Sequence, residues 1–172
     1  MTGKIKILIV DDEVRLINTL KQRLTLRNFD VTTANNGKDA LEIAKKQDFE
    51  LALLDLKMPG MDGDRLLELL KHHDPFIEVV ILTGHGSLES AVHCSKLGSC
   101  GYLQKPCETR ELLHVLKDAY KNRVRKKVNL SEKKLSALMN GTKDDAYMNI
   151  LRILKKAEEN ESNNKVHKDD SG

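Results

Sequence analysis

Five short runs of aliphatic and β-branched residues, each followed by a segment of helical period, occupy the first 120 residues of this 172-residue chain. The runs are 5–10, 30–34, 51–54, 78–82 and 101–104. Between them, Val14, Ile17, Leu20 and Leu24 keep helical spacing, as do Ala40, Leu41 and Ala44, and Leu66, Leu67, Leu69 and Leu70. A last helix is expected to start near Glu108, with a stripe of Leu112, Leu113, Leu116 and Tyr120. Strands alternating with helices pair in parallel, and strands covered on both faces are apolar almost throughout, as in Leu51-Ala52-Leu53-Leu54. The expected fold is therefore α/β, a doubly wound five-stranded parallel sheet. With no Trp and only three Phe and three Tyr, the core must come from Leu, Ile, Val and Ala, which argues against a β-sandwich.

Charge divides the chain. Residues 1–120 hold 16 Lys/Arg against 18 Asp/Glu, and residues 121–172 hold 13 against 8, so the net charge of +3 comes from the C-terminal part. A first domain over 1–122 is expected, then a basic linker and helical extension over 123–157, then a disordered tail over 158–172 with a single aliphatic residue, Val166. The basic stretch 121–127 either continues the fifth helix or acts as a linker. Two extension helices are expected. One spans 131–140, with Leu135, Leu138 and Met139 on one side. The other starts at Thr142 with a Thr142/Asp145 capping pattern and carries Tyr147, Ile150, Leu151 and Leu154. Such a hairpin needs a surface to cover its apolar stripe: the first domain, a second copy, or a target. No apolar run approaches the roughly 20 residues of a membrane span, and the N-terminus does not read as a signal peptide, so a cytoplasmic location is expected. Cys94, Cys100 and Cys107 lack metal or redox spacing and read as free thiols, and the six histidines read as surface residues.

In an open parallel sheet, ligands bind outside the carboxyl ends of the strands. Asp11 and Asp12 follow the first expected strand, Asp55 ends the third, Thr83 ends the fourth and Lys105 follows the fifth. Distant in sequence, they can converge on one pocket. Three acids placed side by side at the end of buried strands need neutralising. A hard divalent cation with oxygen ligands does so, and carboxylates with room for water and substrate oxygens describe Mg²⁺. A lysine and a hydroxyl beside them suit phosphoryl transfer, with Asp55 as nucleophile.

Four segments then carry a resemblance: Ile7-Leu8-Ile9-Val10-Asp11-Asp12-Glu13, Leu54-Asp55-Leu56-Lys57-Met58-Pro59-Gly60-Met61-Asp62-Gly63, Leu82-Thr83-Gly84-His85-Gly86 and Gly101-Tyr102-Leu103-Gln104-Lys105-Pro106. In this order and spacing they resemble the signature blocks of response-regulator receiver domains of the chemotaxis type, a flavodoxin-like fold. The resemblance implies a two-component switch, with Asp55 as phosphoacceptor. Asp11, Asp12, Asp55 and the backbone carbonyl of Lys57 would bind Mg²⁺, and Lys105 would pair with the phosphoryl group. Thr83 and Tyr102 would be the switch pair, and Lys105-Pro106 a cis bond. It further implies a sensor histidine kinase or phosphotransfer protein as donor and an output protein as target, with a homodimer as a further candidate. Self-catalysed phosphorylation and dephosphorylation would be limited, so the chain is not expected to be an enzyme in its own right.

Two positions depart from the pattern. Cys107 stands where many relatives have Phe, which loosens packing there, and Lys57 puts a cation beside the site. A DNA-binding transcriptional regulator using the basic extension is the alternative function. Its two short helices fall short of the three or more elements of a helix-turn-helix domain. A phosphatase working through an aspartyl-phosphate would want an acid at position 57.

Overall fold

A computed structural model describes residues 3–140. The elements run β1 (Ile5–Val10), α1 (Val14–Thr25), β2 (Phe29–Ala34), α2 (Gly37–Lys46), β3 (Leu51–Leu54), α3 (Gly63–His73), β4 (Glu78–Thr83), α4 (Leu88–Lys96), β5 (Gly101–Gln104) and α5 (Thr109–Asn140). All strand pairs are parallel, in the order β2-β1-β3-β4-β5. The order reverses between β1 and β3, which opens a crevice at their carboxyl ends.

Strand residues alternate between two cores, as the period of two requires. Leu8, Val10, Ala52, Leu54, Val79 and Ile81 pack with Ala40, Ala44, Leu66, Leu67 and Leu70 of α2 and α3. Ile7, Ile9, Leu51, Leu53, Val80 and Leu82 pack on the other face with Ile17, Leu20 and Leu24 of α1 and Leu112, Leu116 and Ala119 of α5. Two helix starts are fixed by side-chain caps. Asn36 caps α2 by accepting from the backbone N–H of Asp39 at 2.9 Å, and Ser87 and Ser90 form a reciprocal capping box at α4.

The basic stretch 121–127 is helical, so the structure has no linker after Asn122, and the separate helix expected over 131–140 is the last part of α5. The physical reason lies in the charges. On the face that Leu112, Leu116 and Ala119 bury, the next turn places Arg123, itself buried, 3.3 Å from Asp74 Oδ2. Three residues on, Lys126 donates to Glu78. A segment that reads as solvated is thereby anchored. One compact unit ends at Lys127 and a second begins at Val128. Of the second unit, residues 128–140 are helical; the helix expected from Thr142 and the tail over 158–172 lie outside the described residues.

Candidate functional site

Backbone pairing brings the strand-end residues together. Val10 is in register with Leu54, and the N–H of Asp55 donates to Val10 O at 2.9 Å, so Asp11 and Asp55 stand side by side across the crevice. Thr83 is in register with Gln104, and the N–H of Lys105 donates to Thr83 O at 2.9 Å. One carboxylate oxygen from each of Asp11, Asp12 and Asp55 lies within 4.8 Å of the others, the one such acidic group among the described residues. Asp11 and Asp55 are 3% and 5% exposed, while Asp12 faces solvent.

Lys105 is the counter-charge. Its Nζ lies 2.6 Å from Asp11 Oδ2, 3.4 Å from Asp55 Oδ2 and 3.9 Å from Glu13 Oε1. Asp11 Oδ1 accepts from the N–H of Glu13 at 2.9 Å. Asp55 Oδ1 is buried and has no hydrogen-bond partner. One lysine therefore serves several carboxylates, and a buried carboxylate oxygen of Asp55 is left without a donor. Burial pushes the Asp11 carboxyl up, against the lowering pull of Lys105 and the Glu13 N–H. Burial alone would lower Lys105, but its bond to Asp11 and the charge of Asp55 outweigh it and leave the ammonium raised. The surplus negative charge, the all-oxygen donor set and the orphaned Asp55 oxygen fit a hard divalent cation.

The remaining expected residues surround this centre. Thr83 is fully buried, and its Oγ1 accepts from the N–H of His85 at 3.2 Å. Tyr102 is half-buried beside α4, with its hydroxyl 2.8 Å from Ser90 Oγ. Lys57 lies on the loop from β3 to α3 with its side chain exposed. The Lys105-Pro106 bond is cis. Cys107 is half-buried and lines a cleft of about 440 Å³ with Leu16, Leu20, Arg23, Leu82 and Pro106, so packing is open at that position.

Two residues with a part in the site were given no role from the sequence. Ser90 ties the Tyr102 hydroxyl to α4, and a serine three residues after an N-cap does not carry the Glu/Gln signature that marks a capping box. Gly63 opens α3 against the backbone of Asp55: a Cβ there would sit 2.0 Å from Asp55 O. Only a residue without a side chain lets α3 start this close to Asp55.

Comparison with known proteins agrees with this arrangement. The family model for the response regulator receiver domain matches residues 7–117. The chain belongs to that family. It is 38% identical over 115 residues to the transcriptional regulatory protein ZraR of Escherichia coli, covering 67% of this chain and 26% of ZraR. The chain spans about a quarter of the length of the curated relatives it matches. Among solved structures, a CheY-like receiver domain protein from Methanospirillum hungatei is similar with a TM-score of 0.70 and 31% identity, covering 72% of this chain and 99% of that one. A CheX–CheY–BeF₃–Mg²⁺ complex from Borrelia burgdorferi matches with a TM-score of 0.66 and 26% identity, over 69% of this chain and 90% of that one.

Proposed function

We propose that the chain is a two-component response regulator that takes a phosphoryl group onto Asp55 in an Mg²⁺-dependent reaction and thereby changes its protein contacts. The observation that carries this reading is the carboxylate surplus around Lys105, with one buried Asp55 oxygen lacking any donor. Asp11, Asp12, Asp55 and the backbone carbonyl of Lys57 are the Mg²⁺ ligands in this reading. Bound there, the ion neutralises the carboxylates and draws charge from the phosphoryl oxygens.

A carboxylate oxygen of Asp55 attacks phosphorus, the bond to the donor's histidine nitrogen or acetyl oxygen breaks, and an acyl phosphate remains. Lys105, held on Asp11 and Asp55, offers its ammonium to the incoming phosphoryl oxygens. Thr83 then turns its hydroxyl toward the phosphoryl group, giving up the His85 N–H, and Tyr102 follows inward from Ser90. Gly86 makes room for the ring in its starting position: a Cβ there would meet the Tyr102 hydroxyl at 2.9 Å. The donor is a sensor histidine kinase or phosphotransfer protein and the target an output protein, and the chain itself acts in the cytoplasm. Among the described residues no helix is long and apolar enough to cross a membrane.

Incubation with labelled acetyl phosphate tests the proposal. Label on the protein should require Mg²⁺ and be released by hydroxylamine, and Asp55→Asn should abolish it. An acid-stable phosphoserine or phosphothreonine as the main product would overturn the reading.

A further inference from the structure

At the opposite edge of the sheet from Asp55 lies a second buried ionic cluster that the phosphoryl chemistry does not use. Glu78 opens β4 and is 0% exposed. Its Oε1 accepts from Lys126 Nζ of α5. Its Oε2 is buried without a hydrogen-bond partner, 3.8 Å from Lys71 Nζ in the last turn of α3. Lys71 is itself bonded to Ile77 O and only 15% exposed, whereas the Lys126 side chain is half exposed. The two cations are thus unequal: Lys71 is fixed in the body, and Lys126 reaches in from the surface.

We propose that Glu78 is a releasable clasp for α5: it holds residues 121–127 against the receiver through Lys126, and keeps Lys71 in reserve so that the helix can leave without stranding a buried charge. Removing the partner of a buried ion is ordinarily costly because the remaining charge has nothing to pair with. Here that penalty is lessened, because when Lys126 withdraws, the carboxylate still faces the Lys71 ammonium, 3.8 Å from Oε2. Arg123 on Asp74 is the second tie on the same face of the helix, 3.3 Å long and at the edge of the body. Burial pulls the Lys71 ammonium down and Glu78 pulls it back. The Cys100 thiol is pushed up to about 12, by burial first and by the Glu78 carboxylate next.

Hydrogen exchange on the full chain, read by mass spectrometry, tests the clasp. Lys126→Gln should raise exchange of the 121–127 amides about tenfold, the loss of one charged hydrogen bond, while β3 and β4 keep their protection. Lys126→Arg should restore it. Lys71→Met should leave the 121–127 amides as slow as in the parent protein, because Lys126 stays in place. Unchanged exchange over 121–127 in Lys126→Gln would overturn the proposal. So would an equal rise across β3 and β4, which would make Lys126 part of the core and not a releasable tie.

Discussion

At the carboxyl edge of the sheet Asp11 and Asp55, with Asp12 beside them, share one lysine, whereas at the amino edge a single buried glutamate lies between two. Both edges bury acids, yet only the first has negative charge left over. A buried carboxylate with enough counter-charge is finished as a structural element. One without it remains open to a cation and to a phosphoryl group. The sign of the local charge balance, more than burial itself, separates the site from the scaffold.

Breaking the amino edge should have the largest effect on stability. Glu78→Ala leaves the mostly buried Lys71 without its counter-ion and should cost about 3 kcal/mol, measured by urea unfolding, with phosphorylation of Asp55 retained. A loss of Mg²⁺ dependence in that variant would erase the distinction between the edges. Gly63→Ala, at the carboxyl edge, forces α3 away from Asp55 O and should cost about 2 kcal/mol. It should also slow phosphorylation, because the acceptor moves. Tyr102→Phe removes the bond to Ser90 and should cost about 1 kcal/mol, with the phosphorylation rate unchanged but output-partner binding altered.

The smallest effect is one of sign. In metal-free protein the folded-state pKa of Asp11 is raised above its ordinary 3.8, chiefly by burial. The folded state therefore holds that proton more tightly than the unfolded chain. Its stability should fall as pH rises from below 3.8 through the raised value and stay at the lower level above it. Asp11→Asn should flatten that part of the profile and leave the metal-free protein slightly more stable at neutral pH. A steeper profile in the variant would show that Asp11 is not under strain.

The carboxyl edge was legible in the sequence because its logic is local. A strand of known period ends in a residue able to do chemistry, and parallel topology brings all such ends to one side, so Asp11, Asp55, Thr83 and Lys105 could be grouped before any contact was seen. The amino edge had no such signal. Glu78 reads as an ordinary strand start, and its partner Lys126 lies 48 residues away in a run that looks solvated. The run 121–127 carried the same ambiguity: it reads as helix or linker, and only the buried pair Arg123–Asp74 shows why it stays in α5. Ser90 escaped notice for a related reason: its bond to Tyr102 joins two elements whose spacing only the tertiary fold sets.

The most direct test of the account is an Mg²⁺ titration followed by thermal unfolding, comparing the parent protein with Asp55→Asn and Lys126→Gln. A ligand that binds only the folded state stabilises it by an amount that grows with the logarithm of its concentration. The parent and Lys126→Gln should both show that rise in melting temperature, and Asp55→Asn should show it weakly or not at all. An equal rise in all three proteins, or none in the parent, would contradict the claim that the carboxylate surplus around Asp55 is an Mg²⁺ site.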